Sequence, residues 1–342
     1  MSSYSKERRV AELAVERACK LTQAVAESSA NGEVTKDDAS PVTVADFGAQ
    51  AVVIGAINHN FAADPVVGEE DSAILREKPE LKARVWGLAQ AAAAETAGST
   101  AEIGELASAD HMLEMLDLGM FEGGRVPRMW ALDPVDGTKG FLRREQYAVC
   151  LALLVDSEVV VGVIGCPNLP VDPTGATPGK GMLFSAVKGQ GAFARPLDAA
   201  DADFVRIRMN DIPDAAAASF CESVEAGHSS HGQQARIAAL LGITKPSVRM
   251  DSQAKYASIA RGDGDIYLRL PVSATYQEKI WDHAAGNVLV AEAGGIVSDM
   301  HGNPLDFSLG RTLRNNKGIV AAAAGIQPSV VAAVQKVLAE DA

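Results

Sequence analysis

Apolar residues run almost unbroken from Tyr147 to Cys166, and the pair Asp156 and Glu158 cuts that run into two pieces of strand length. Such a stretch reads as a buried hairpin, and the rest of the chain has to be built around it. The acids interrupt it too early for a membrane span. A further β unit, Met182 to Ala194, turns at Lys188-Gly189-Gln190-Gly191. Before the hairpin, Val10, Leu13, Ala14, Ala18, Leu21 and Val25 recur at gaps of three and four, which predicts a helix over 6–30 stopped at Asn31-Gly32. An extended piece at Pro41–Val44 is expected to lead into a second helix, Asp46 to His59. Pro65–Gly68 reads as a strand. Residues 80–125 read as helical, without evident chemistry, and fit an insertion.

Past residue 205 the pattern changes. Strands Phe204–Met209, Ser247–Met250, Ile266–Leu270 and Gly318–Ala322 alternate with helices over 231–242, 253–261, 283–293 and 327–340. The expected fold is mixed α+β and layered. At 342 residues the chain has room for two domains. A soft boundary near Pro196–Asp203 divides it into 1–200 and 201–342. The charge sum is 31 − 44 = −13, with no basic run, which argues against a nucleic-acid polymer as partner. An anionic ligand would need local cations or a bound metal. Cys19, Cys150, Cys166 and Cys221 are widely spaced, as befits reduced thiols in the cytoplasm. The N-terminal segment mixes acids and bases and has no apolar signal core. No membrane contact is expected.

The strongest chemical signal is LDPVDGTKGF, residues 132–141. Asp133 and Asp136 end an apolar strand, Pro134 stiffens the turn, and the Val135 carbonyl lies between the two side chains. These are the hard oxygens that Mg²⁺ prefers. Gly137-Thr138 follows at a helix or turn N-terminus, whose free N–H groups would hold a phosphate. Metal ligands beside an anion seat point to phosphoryl chemistry. Glu69, in Gly68-Glu69-Glu70-Asp71, becomes a bridging ligand or base if the fold brings it to the same place; alone, such a run is a solvated turn. Asp282 in WDHAAG and Asp46 in TVAD each sit where a helix cap belongs, so each is either a cap or part of the site. His228 and His231 are three apart, and two histidines do not fill a zinc site.

LDPVDGTKGF and WDHAAGNVLVAEAGG resemble the two signatures of the metal-dependent, lithium-sensitive phosphatases of the inositol monophosphatase superfamily. SPVTVADFGAQ, VVGEEDS, FEGGR, EQYAVCLALLVD, IGCPNL, GHSSH, DSQAKY, YLRLP and YQEKIWDHAAGN extend the resemblance to one branch, the 3'(2'),5'-bisphosphate nucleotidases, over most of 40–320. The resemblance implies an αβαβα sugar-phosphatase fold and hydrolysis of adenosine 3',5'-bisphosphate to AMP and phosphate with two or three Mg²⁺ ions. The 3'-phosphoadenosine 5'-phosphosulfate relative is a second expected substrate, and the small-molecule nucleotide is the expected partner of a monomer or weak oligomer. By the same resemblance, Glu69, Asp133, the Val135 main chain, Asp136 and Asp282 hold metal. Thr138 works with Asp46 and Glu69 to activate water for in-line attack. Gly137 and Thr138 seat the phosphate, and His228, Ser252, Lys255 and Arg269 meet the nucleotide. Two departures from the branch pattern are Arg144, where a glycine is usual, and the extra polar residues of RTLRNNKGIV. The rivals are an inositol polyphosphate 1-phosphatase or inositol monophosphatase, and a nucleotide sensor without turnover. The intact acids and Thr138 argue against the sensor.

Overall fold

The computed structural model describes residues 3–30, 41–199, 202–224, 231–271, 273 and 275–341. Helices α1 (Ser5–Ala30) and α2 (Pro41–Asn60) come first. Strand β1 (Val66–Val67) leads to helices α3 (Ala73–Glu77), α4 (Pro79–Glu95), α5 (Thr100–Ile103) and α6 (Ala109–Leu118). Strand β2 (Arg128–Asp136) and the short helix α7 (Thr138–Arg143) precede β3 (Ala148–Val155), β4 (Glu158–Pro170), β5 (Lys180–Val187), β6 (Gly191–Pro196) and β7 (Val205–Ile207). Then come β8 (Phe220–Glu222), α8 (His231–Leu241), β9 (Val248–Arg249), α9 (Ala254–Arg261) and β10 (Ile266–Arg269). The chain closes with α10 (Ala284–Glu292), β11 (Gly295–Ser298), β12 (Ile319–Ala323) and α11 (Gln327–Glu340).

The strands form two sheets, seven-stranded in the order β1-β2-β3-β4-β5-β6-β7 and five-stranded in the order β11-β12-β10-β8-β9. In the first, β1 and β2 are parallel and the remaining pairs antiparallel. Helices α1 and α2 cover one face of that sheet. Helices α9 and α10 lie between the sheets, and α11 covers β12 while packing on α8. The result is the five-layer αβαβα arrangement.

The hairpin at the centre shows why both faces had to be apolar. Tyr147, Val149, Leu151 and Leu153 belong to the core shared with α1 and α2. Ala148, Cys150, Ala152 and Leu154 belong to the core shared with α9 and α10. Alternate residues of one strand thus serve two different layers, and each buried Val or Leu contributes about 1.5–3 kcal/mol. Glycines in β4 let helices approach on both sides. A Cβ on Gly165 would lie 2.3 Å from Cys19 Sγ of α1, and one on Gly162 would lie 2.8 Å from the Ala285 carbonyl of α10.

Several expectations are corrected. Pro41–Val44 is helical rather than extended: α2 starts at Pro41, and the first turn of a helix tolerates proline because its N–H groups have no intrahelical partner. The helical stretch after residue 80 stops at Leu118, short of residue 125, and Leu81, Val85, Ala89, Met112 and Leu116 are buried in the α1–α2 core. Strand β2 continues through Asp133-Pro134-Val135-Asp136, with a shift of register between the two aspartates where Pro134 has no N–H to donate. Strands β8 and β11 were not foreseen; they are three and four residues long. The proposed stop at Asn31-Gly32 lies outside the described residues.

The layer contact makes a paired prediction. Gly162→Ala forces the Cβ into main chain of α10 and should destabilise the protein by about 1–3 kcal/mol. Gly87→Ala, in mid-α4 with nothing within 4 Å of the new Cβ, should stabilise it by about 0.5–1 kcal/mol. Urea unfolding of both variants measures the two signs.

Candidate active site

A cleft of about 370 Å³ opens where the two sheets meet, lined by Glu69, Asp133, Val135, Asp136, Gly137, Thr138, Ser252, Lys255, Tyr267, Arg269, Tyr276 and Asp282 among others. Glu69 follows β1, Asp133–Asp136 end β2, and Gly137-Thr138 open α7. Ser252 and Lys255 flank the start of α9, and Arg269 ends β10. Ten of the twelve residues singled out from the sequence therefore share one cleft. Asp46 is buried and does not line it, yet lies near enough to feel Glu70 and Glu69. His228 lies outside the described residues. A larger cavity, about 450 Å³, lies beside α1 and β6, but its Lys20 pairs with Asp198 and its Arg195 with Glu16.

The helix-cap readings of two acids do not hold. His283, not Asp282, occupies the N-cap position of α10, and its side chain does not cap the helix. Asp46 sits in the second turn of α2, beyond any capping position. Both acids are thus left for other work.

Electrostatics sets the character of the cleft. Burial pushes Asp133 well above the usual carboxylate range, and Asp136, Glu69, Asp282 and Asp46 add to the push. Burial in the cleft, then Asp282, Glu70 and Asp136, raise Glu69 to about 8, although the residue stands at the open rim where solvent screens part of the repulsion. Burial raises Asp282 to about 6, against the pull of Arg269 and His283. Asp46 is raised by burial and by Glu70 and Glu69. Asp133 Oδ1 is buried with no hydrogen-bond partner among the described residues. An orphaned carboxylate oxygen among repelling carboxylates is a donor set that fits a hard divalent cation. Glu278, Asp282 and His283 also bring ligand atoms within 4.8 Å of one another. There, however, His283 is held at both ring nitrogens, by Tyr256 Oη and Glu278.

Residues that the sequence reading passed over hold the acids in place. Gln50, fully buried, accepts from the main-chain N–H of Glu69 at 3.0 Å and of Glu70 at 2.9 Å, and donates back to the Glu70 carbonyl. It is one helical turn beyond Asp46, and that i,i+4 spacing within SPVTVADFGAQ was a readable sign that both face the acidic turn. Arg311, from RTLRNNKGIV, donates to the carbonyls of Gly68 and Phe121 and lies over the Trp281 ring at 4.8 Å. Gln253, from DSQAKY, donates its main-chain N–H to Asp136 Oδ2. Its side chain donates to the Trp281 carbonyl at 2.8 Å and accepts from Gly286 N at 3.0 Å. These bonds tie β1, β2, α9 and the Asp282 segment together.

The anion side is built differently. Gly137 is left-handed, φ 89°, and a Cβ on it would lie 2.8 Å from Ser252 Cβ, so only glycine fits between β2 and Ser252. Ser252 is itself left-handed at φ 68°. Lys255 is buried, which lowers its proton affinity while Asp136 opposes the fall; its Nζ reaches the Met250 carbonyl at 3.5 Å. Among the described residues no hydrogen bond joins Thr138 to Asp46. Arg144 is exposed, lies outside the cleft, and adopts φ 61°. Glycine is natural there, and a side chain costs about 1–2 kcal/mol.

The chain matches the inositol monophosphatase family over residues 4–339. A curated relative from Emericella nidulans, named 3'(2'),5'-bisphosphate nucleotidase, is 56% identical, with 98% of this chain and 99% of that protein covered. One of the same name from Schizosaccharomyces pombe is 52% identical, with 99% and 98% covered. Among solved structures, an inositol monophosphatase from Anabaena (Nostoc) superposes with TM-score 0.59 at 20% identity, covering 98% of this chain and 97% of that one, a likeness of fold.

Gln50→Leu removes the side-chain bonds that pin the acidic turn and leaves two main-chain N–H groups without partners. Unfolding measurements should show a loss of about 2–4 kcal/mol, since each stranded buried group costs about 1–3 kcal/mol.

Proposed function

This chain belongs to the inositol monophosphatase family, and on that premise we propose that it is a Mg²⁺-dependent phosphatase removing the 3'-phosphate of adenosine 3',5'-bisphosphate to give AMP and phosphate. The observation that carries this reading is a single cleft that brings Glu69, Asp133, Asp136 and Asp282, with an orphaned carboxylate oxygen on Asp133, together with Lys255 and Arg269. Glu69, Asp133, Asp136, Asp282 and the Val135 carbonyl would hold two or three Mg²⁺ ions. Bound there, the metal would supply charge for the transferring phosphoryl group and the leaving oxygen. The chain's own groups do the rest. Gly137 and Thr138 N–H groups receive the phosphate. Thr138 Oγ1 orients the attacking water, and the proton passes toward Asp46 and Glu69. Lys255 and Arg269 meet the phosphate that is not cleaved, with Ser252 and His228 beside the nucleotide. On this reading residues 1–200 supply most of the metal-holding acids and residues 201–342 supply Asp282 and the nucleotide side. 3'-Phosphoadenosine 5'-phosphosulfate is the second substrate.

Phosphate release measured side by side on adenosine 3',5'-bisphosphate and on inositol phosphates tests the reading. Turnover of the nucleotide is expected, and turnover of the inositol phosphates alone would overturn it. In the same assay Asp136→Asn should lower turnover by a factor on the order of 10² or more, because loss of a direct ligand exceeds the losses seen when its outer supports are changed.

Arg269→Ala separates the two ends of the substrate. A charged hydrogen bond is worth about 1.5–3 kcal/mol, so kcat/KM for the bisphosphate should fall roughly 10- to 150-fold. A small monophosphate without the second phosphate should be little affected; equal losses on both would make Arg269 purely structural.

A further inference from the structure

Arg269 stands between two carboxylates and, in this structure, is hydrogen-bonded to only one of them. Its Nε lies 3.0 Å from Glu278 Oε1 and 2.9 Å from Oε2. Its Nη2 donates to Tyr276 Oη at 3.1 Å, while Asp282 Oδ2 lies 3.6 Å from the same nitrogen, beyond hydrogen-bond reach. Glu278 is in turn held in place. His283 Nε2 lies 3.1 Å from Glu278 Oε2, and His283 Nδ1 lies 2.9 Å from Tyr256 Oη. If Tyr256 donates to Nδ1, the Nε2–H donates to Glu278, and every group in the row has one role. Tyr256, His283 and Glu278 are all buried, and the reaction described above uses none of them. Burial alone would raise the Glu278 carboxyl, but the bond from His283 and the charge of Arg269 hold it below its usual range.

We propose that Glu278 is a positioning residue whose anchored carboxylate keeps the Arg269 guanidinium off Asp282, so that Asp282 stays available to the metal and Arg269 to the substrate's distant phosphate. The inference rests on reading Asp282 as a metal ligand. A guanidinium deprived of Glu278 has, among the described residues, one carboxylate left within 4 Å, and closing a gap of 3.6 Å to a hydrogen bond needs only a small rotation. An Asp282–Arg269 pair would then compete with Mg²⁺ for the same oxygens. A purely structural role for Glu278 predicts something else: a defect that persists whatever stands at position 269.

The experiment titrates MgCl₂ into the full-length protein without substrate and follows the shift in Tm, with KCl as the ionic-strength control. Glu278→Gln should raise the Mg²⁺ half-saturation on the order of tenfold, the scale seen when a ligand's outer support is altered. The double variant Glu278→Gln/Arg269→Ala should return to within about twofold of the wild type, since the competitor is gone. Unchanged Mg²⁺ binding in Glu278→Gln, or an uncorrected defect in the double variant, would overturn the inference while leaving the proposed function standing. Arg269→Ala alone keeps the test open if Glu278→Gln does not fold: it should bind Mg²⁺ at least as tightly as the wild type, and weaker binding would overturn the inference. A wild-type protein with no Mg²⁺ response would remove the metal reading and this inference together.

Discussion

Near the end of a buried strand, Asp133 holds a carboxylate oxygen that has no hydrogen-bond partner among the described residues, and its neighbours Asp136, Glu69 and Asp282 push against it. Folding tolerates that repulsion because of how the surroundings are chosen. Gln50 grips the acidic turn through main-chain groups, and Gln253 braces Asp136 with a main-chain N–H. Arg311 spends its guanidinium on carbonyls and an aromatic face, and Arg269 spends its own on Glu278. The acids are thus positioned mainly by neutral partners, and the nearby cations are engaged elsewhere. Negative charge is left only partly compensated in a confined volume, a condition under which a divalent cation gains from binding.

The layers put this cleft where they do for reasons of packing. The ends of β1 and β2 meet the start of α9 and the approach to α10, so acids from the first sheet face Lys255 of α9 and Arg269 of the second sheet. Glu292 at the far end of α10 accepts from the Gly189 and Gly191 N–H groups, 2.7 Å each, at the β5–β6 turn. The helix that begins two residues after Asp282 is therefore pinned at its other end to the β5–β6 turn of the same sheet. Rigidity of that kind keeps catalytic groups in place better than local bonds alone.

Much of this was legible in the residues. The hairpin, the long first helix, the β5–β6 turn and the alternation after residue 205 follow from periodicity and turn chemistry, and LDPVDGTKGF named two of the acids directly. Less legible was anything that depends on partners far along the chain. Nothing local marks Glu278 as the partner of Arg269, because the pairing exists only once β10 and the segment before α10 have packed. The short strands β8 and β11 escaped for a related reason: three or four residues carry no period, and neighbouring strands define them. Pro41 misled because proline suits both an extended segment and a first helical turn. The resemblance supplied roles that spacing could not, and it pointed to Arg144 as unusual without showing that its backbone is left-handed.

The two-faced burial of β3 and β4 also has a consequence for synthesis. One face of the central hairpin is covered by α1 and α2, made early; the other waits for α9 and α10. About 120 residues separate the end of β4 from the end of α10, roughly 6–24 s of translation at about 5–20 residues per second. For that interval Ala148, Cys150, Ala152, Leu154 and Ile164 stand on an open, greasy surface on the ribosome. The arrangement that covers both faces of the finished hairpin cannot be completed until the last third of the chain has been made.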